Sequence, residues 1–210
     1  MKILLVNGSP HKKGCTYTAL EEIAKTLKTE GFKAEIFQVG TKPISGCIAC
    51  KRCIKLGRCG IEDCVNDFLD KAKDADGFVF GSPVHYAAAG GAMSSFMDRA
   101  FYADACAGRQ SFHLKPAAAV VSARRAGTTF ALDQLNKYFS ISQMPIISSR
   151  YWNMVHGSKP EDVKQDLEGL QIMRVLGRNM AWFLKCKEAG IKAGIPFPEM
   201  EAKVFTNFVR

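Results

Sequence analysis

The chain has 210 residues, 47% of them hydrophobic and 23% charged, with 29 Lys and Arg against 20 acids and a net charge of +9. That length suits one domain burying roughly 70% of its unfolded surface, and no apolar run approaches the ~20 residues of a membrane span. The basic balance suits phosphates, nucleotide cofactors or acidic proteins. With no basic stripe interleaved with aromatics and no nucleic-acid motif, neither nucleic acid nor membrane is an expected partner.

Met1 to Val6 begins like a signal peptide, but Asn7-Gly8-Ser9-Pro10 ends the apolar run early and no A-x-A site follows. The expected location is therefore the cytoplasm. Eight cysteines in that compartment point to thiol, metal or redox chemistry rather than structural disulfides.

In chain order, Lys2 to Asn7 reads as a buried strand. Thr16 to Thr29 reads as a helix, with Leu20, Ile23, Ala24 and Leu27 on one face and Gly31 as its stop. Ala34 to Val39 is the second strand, followed by a cysteine-rich loop and a helix from about Val65 to Ala72. Gly77 to Gly81 is the third strand, Gly91 to about Tyr102 a helix, and Ala117 to Val121 the fourth strand. Thr129 to about Tyr138 is helical, Pro145 to Ser149 is the fifth strand, and one long helix fills Glu161 to about Ala189. Strands that are apolar without alternation belong to a parallel sheet covered on both faces. Five of them with intervening helices predict a doubly wound, three-layer α/β fold over residues 1–190, with 191–210 as a tail packing on the domain or on a partner subunit.

Ligands of such folds lie beyond the carboxyl ends of the strands, where strand order reverses. The loop after the first strand, Asn7-Gly8-Ser9-Pro10-His11-Lys12-Lys13-Gly14-Cys15-Thr16, offers hydroxyls, cations and a helix N-terminus, a setting for one phosphate. It matches neither G-x-x-x-x-G-K-[ST] nor G-x-G-x-x-G, which weakens ATPase and dinucleotide readings. A plain Ser/Thr-capped turn is the alternative. Ser82-Pro83-Val84-His85-Tyr86 follows the third strand and could line a planar ring, or be structural; Ser122-Ala123-Arg124-Arg125-Ala126-Gly127-Thr128 follows the fourth and could meet an anionic ring edge, or be a solvated pair of arginines.

Together these loops resemble the flavodoxin-like family of NAD(P)H-dependent FMN reductases. The matching residues are Gly8-Ser9-Pro10, Gly14, Thr16, Gly81-Ser82-Pro83-Val84, Phe96-Met97-Asp98-Arg99 and Gly127-Thr128, over roughly residues 1 to 150, together with the ending Thr206 to Arg210. The resemblance implies FMN phosphate at Ser9, His11, Gly14, Cys15 and Thr16. It implies isoalloxazine contacts at Pro83, Val84, His85 and Tyr86, with Ser122, Arg124, Arg125 and Gly127 nearby. Two arginines there would stabilise anionic reduced flavin and raise its potential.

Cys47, Cys50, Cys53 and Cys59 follow C-x-x-C-x-x-C-x5-C among Lys51, Arg52, Lys55 and Arg58. By spacing alone they could ligate a cluster, close a disulfide or fill a loop. The pattern resembles the compact motif of iron-sulfur flavoproteins, which implies a 4Fe-4S cluster exchanging electrons with FMN. Four thiolates can wrap one cluster and nearby cations offset its charge. Free thiols or a disulfide come second and zinc last, since zinc favours two separated C-x-x-C pairs; Cys64 is a spare ligand, while Cys15, Cys106 and Cys186 read as unligated.

The expected activity is an FMN-dependent oxidoreductase of the NAD(P)H-dependent flavin or quinone reductase type, with flavin and no side chain as the catalyst. The alternatives are an iron-sulfur flavoprotein fed by ferredoxin and a non-catalytic flavin electron carrier or regulatory module. A small-molecule acceptor and a homodimer or homotetramer complete the expectation.

Overall fold

The structure, a computed structural model, describes residues 1–206; Asn207 to Arg210, part of the matched ending, lie outside the described residues. The chain runs β1 (Lys2–Asn7), α1 (Cys15–Thr29), β2 (Lys33–Gln38), α2 (Arg52–Leu56), α3 (Cys64–Ala72), β3 (Gly77–His85), β4 (Ala88–Ala89), α4 (Gly91–Cys106), β5 (Ala117–Ala123), α5 (Thr128–Ile141), β6 (Met154–His156), α6 (Pro160–Gln165) and α7 (Leu167–Lys192). The sheet order is β2-β1-β3-β5-β6, with every pair along that path parallel. The short β4 folds back antiparallel on β3 as a hairpin. This is the doubly wound flavodoxin-like fold, and strand order reverses between β1 and β3.

The two faces of the sheet are packed differently. Leu4, Val6, Phe78, Phe80, Ala117 and Ala119 face a core filled by aromatic rings from α3, α4 and α5, with Phe68 edge-to-face against Phe96 at 5.0 Å and against Phe80 at 6.0 Å. The alanines of β5 leave room for those rings. On the opposite face Ile3, Leu5, Val79, Ala118 and Val120 are covered by α1 and α7. A Cβ on Gly177 of α7 would lie 2.9 Å from Thr26 Cβ of α1, so the missing side chain lets these two helices approach closely.

The fifth strand departs from expectation. Residues 145–149 form no strand: Pro145 O accepts from Ala117 N–H and Ile147 N–H donates to Ala117 O, a single bridge. The chain then leaves the sheet over Ser148 to Trp152 and returns as β6. Asn153 spans the gap, its side chain donating to Ala119 O at 3.1 Å while its carbonyl accepts from Val121 N–H at 3.0 Å. The polar run Ser148-Ser149-Arg150-Tyr151-Trp152 cannot be buried at a sheet border, whereas Met154 and Val155 can, so burial selects the later register.

The long helix is also broken. Asp166 leaves helical geometry (φ −75°, ψ 74°), accepts Gly169 N–H at 2.9 Å and caps α7. α7 then runs to Lys192, three residues beyond the expected end, and α2 within the cysteine loop was not anticipated. Residues 193–206 are irregular and expose Ile195, Phe197, Met200, Val204 and Phe205. No described helix is long and apolar enough to cross a membrane.

Candidate functional site

Three loops at the carboxyl end of the sheet are tied to one another. Gly8 N–H donates to Gly81 O at 2.8 Å, joining the loop after β1 to β3. Thr16 and Ser122, both buried, share a hydroxyl hydrogen bond of 2.8 Å that joins α1 to the end of β5. Gly127, at φ +93°, completes the ring: a Cβ there would lie 2.5 Å from Ala87 Cα and 3.1 Å from Val84 Cγ1.

Within the first loop Ser9 is buried; its N–H donates to Asn7 Oδ1 at 3.2 Å and its Oγ accepts His11 N–H at 3.1 Å. Gln38, at the end of β2, accepts from Asn7 Nδ2 and donates to Ser9 O, both at 2.7 Å. Asn7 and Gln38 escaped the sequence reading; each is a polar residue at the carboxyl end of a strand, which is the signal that was available. Gly14 caps α1 without a side chain, so the first N–H groups of that helix face a turn carrying His11, Lys12 and Lys13, all exposed. Cys15, half-buried, directs its thiol to Gly157 O at 3.6 Å, and burial pushes its pKa up.

In the second loop Ser82 is buried and its Oγ accepts Gly90 N–H at 3.0 Å, closing the base of the hairpin. Pro83 and Val84 are half-buried, while His85 and Tyr86 are exposed, Tyr86 completely. Tyr86 and Ala87 form the two-residue tip with φ of 49° and 60°, the signs of a type I′ turn. In the third loop Arg124 and Arg125 are exposed beside the buried Ser122. The structure therefore brings Ser9, Gly14, Thr16, Pro83, Val84, Ser122 and Gly127 into one connected rim and leaves the tips of His11, His85, Tyr86, Arg124 and Arg125 free in solvent.

The cysteine loop forms a second centre. Cys47 and Cys50 are exposed and Cys53 and Cys59 buried, yet all four line one solvent-open pocket with Lys51, Arg99 and Tyr102. Tight turns at Ala49, Lys51 and Gly57, all at positive φ, fold the loop around it. Cys64, half-buried at the start of α3, is not among the residues lining this cavity. Burial raises the pKa of Cys53 and of Cys64. Among the described residues no three His, Cys, Asp or Glu side chains are arranged around a single ion, as mononuclear zinc requires. Four separate thiols facing one cavity beside a buried arginine do fit a cluster, which takes one thiolate per iron.

Cys59 is anchored by residues with no local sequence signal. Asn66 of α3, 1% exposed, accepts Cys59 N–H at 3.0 Å and donates to Cys59 O at 3.0 Å and to Ile61 O at 3.3 Å. Replacing Asn66 by Leu strands these buried groups and is expected to cost about 3 kcal/mol, which for a chain of this size lowers Tm by about 6–12 °C. Thermal melts of wild type and variant check this; equal Tm values would show that Asn66 does not hold the loop.

A doubly wound parallel sheet in the order β2-β1-β3-β5-β6 defines the flavodoxin-like class. The comparisons agree. The family model described as NADPH-dependent FMN reductase matches residues 1–159. An iron-sulfur flavoprotein of Methanocaldococcus jannaschii is 30% identical over 88% of this chain and 98% of its own length. One of Archaeoglobus fulgidus is 29% identical over 89% and 98%. Among solved structures, RosB with a bound 8-demethyl-8-formylriboflavin-5'-phosphate intermediate covers all of this chain, and 94% of its own, at TM-score 0.69 and 14% identity. An archaeal flavodoxin aligns at TM-score 0.58 and 17% identity over 88% of this chain and 99% of its own. The chain belongs to the NADPH-dependent FMN reductase family, in its iron-sulfur flavoprotein branch, and is an FMN-dependent oxidoreductase.

Proposed function

We propose that FMN binds with its phosphate in the loop Ser9, His11, Gly14, Cys15 and Thr16 and its ring between Pro83, Val84, His85 and Tyr86 and the segment Ser122, Arg124, Arg125 and Gly127. The observation that carries this is the linkage of the three loops at the strand switch point. The uncapped N–H groups of α1 and the cations of its turn favour a phosphate. Pro83 and Val84 offer an apolar wall, and Gly127 keeps the hairpin close to α5. Bound FMN supplies both hydride acceptance and single-electron transfer. The residues contribute binding, ring orientation and charge; Arg124 and Arg125 favour an anionic reduced ring. The electron donor is NAD(P)H and the acceptor a small molecule.

A second reading is favoured by the cavity that Cys47, Cys50, Cys53 and Cys59 share: these thiols hold a 4Fe-4S cluster, and a ferredoxin replaces NAD(P)H as donor. Relatives named iron-sulfur flavoprotein support it. The proposed assembly is a cytoplasmic homodimer or larger, in which a second copy, through Tyr102 or the exposed tail, covers the ring. Protein purified anaerobically is expected to be yellow, to carry FMN and to oxidise NADH or NADPH in steady state. Turnover with nicotinamide but no iron leaves a plain flavin reductase; about four irons per chain without nicotinamide turnover selects the ferredoxin-fed reading; flavin with neither leaves an electron carrier.

A further inference from the structure

Of the four cysteines lining the cavity, Cys59 alone among the described residues has a cation aimed at its sulfur. Arg99, on α4, is 1% exposed and donates to Cys59 Sγ from Nε at 3.4 Å and from Nη2 at 3.3 Å. The guanidinium also donates from Nη1 to Asp63 Oδ2 at 2.5 Å, and Nη2 shares its N–H groups among Cys59 Sγ, Asp63 Oδ1 at 3.0 Å and Ile61 O at 2.9 Å. The fork grips a carboxylate with one edge and a sulfur with the other. A buried guanidinium is hard to accommodate unless anions surround it. Asp63 supplies one negative charge, and the two N–H groups that converge on Cys59 Sγ suit an electron-rich, ligating sulfur. Asp63 is itself committed, capping α3 by accepting Val65 N–H at 3.0 Å, and Asn66 fixes the backbone of Cys59 from the other side.

We infer that Arg99 is a positioning residue that sets the reduction potential of the cluster through its two N–H···S contacts to Cys59, with Asp63 as the counterweight to its charge. The inference rests on the cluster reading above. Donors to a ligating sulfur and positive charge beside it stabilise the extra electron of the reduced cluster and raise its potential, whereas a neighbouring carboxylate lowers it. Exposed Cys47 and Cys50 face water, whose hydrogen bonds fluctuate; Arg99 makes the Cys59 side dry, fixed and cationic. Reduction here is addition of one electron from a chemical titrant, with no bond made or broken.

The test compares anaerobically purified wild type, Arg99→Lys and Asp63→Asn. Lys keeps the charge but cannot fork between carboxylate and sulfur. Asn still caps α3 but carries no charge. Iron and flavin are assayed, and the cluster is titrated with dithionite and mediators, the reduced cluster being followed by its electron paramagnetic resonance signal. Arg99→Lys is expected to shift the one-electron reduction equilibrium about tenfold toward the oxidised form, a fall of about 59 mV. Asp63→Asn is expected to shift it in the opposite direction, with flavin content unchanged. A purely structural clamp would lower iron content or Tm in both variants without moving the potential of the clusters that remain, and that outcome overturns the inference. If Arg99→Lys fails to fold, Asp63→Asn decides alone: a rise supports the inference, and an unchanged or lower potential overturns it. Wild type without iron removes the cluster reading and the inference together; wild type with about four irons per chain and unmoved potentials in the variants removes the inference alone.

Discussion

Ser9→Asp is expected to abolish FMN binding while the fold survives. Ser9 Oγ accepts His11 N–H at 3.1 Å, and an aspartate carboxylate makes the same kind of turn as readily as serine does. The variant therefore keeps the loop and changes its charge. A carboxylate about 4 Å from a phosphate, at an effective dielectric constant near 20, opposes binding by about 4 kcal/mol, so FMN affinity should drop at least about a hundredfold. Quenching of flavin fluorescence, titrated with apoprotein, measures it. Riboflavin, which lacks the phosphate, is the control and should bind both proteins equally. Equal FMN affinity in wild type and Ser9→Asp would place the phosphate elsewhere.

Gly127→Val is expected to have the largest effect on stability and to release flavin as well. The residue combines φ +93° with a Cβ position 2.5 Å from Ala87 Cα. Left-handed backbone costs a branched residue about 1–2 kcal/mol, and forcing the hairpin away from α5 adds about 1–3 kcal/mol. Together they lower Tm by about 4–20 °C. Gly91, at the start of α4, is the counterpart: a Cβ there meets nothing within 4 Å, so Gly91→Ala should leave Tm and flavin affinity within error. Thermal melts of both variants, with and without FMN, separate the two glycines. A wild-type Tm for Gly127→Val would mean that the hairpin yields freely and does not define the ring side of the site.

Local pattern revealed what local physics decides. β1, β3 and β5 were legible as apolar runs without alternation, and α1 by its buried face, because each is a short segment that must bury itself. The loops that follow these strands were legible for the same reason: the fold fixes where strand ends lie. β6 was misplaced because Ile146-Ile147 and Met154-Val155 are equally apolar in sequence; only Asn153, reaching Ala119 O, shows which pair continues the ladder. The break at Asp166 was hidden by the unbroken apolar stripe from Val163 to Phe183. Arg99 and Asp63 lie 36 positions apart and meet only because α4 packs beside the cysteine loop. No periodicity encodes such a meeting. Arg99 stood in a matched motif, but nothing in Phe96-Met97-Asp98-Arg99 says that its partner is a sulfur.

The interrupted border at β6 bears on how copies of this chain can meet. An uncovered border strand is a template onto which a foreign strand can add. Here that template is three residues long, preceded by a bulging polar and aromatic run, and His156 N–H is already taken by Asp166 Oδ2 at 2.7 Å. At the other border Glu35 of β2 is held between Lys2 and Lys71, at 2.7 and 2.9 Å, which sets charge along that rim. Neither rim offers a long, flat, apolar ladder. Growth of the sheet from molecule to molecule is thereby discouraged, and association is steered toward helices and the tail rather than along the strands, even in a crowded, concentrated solution.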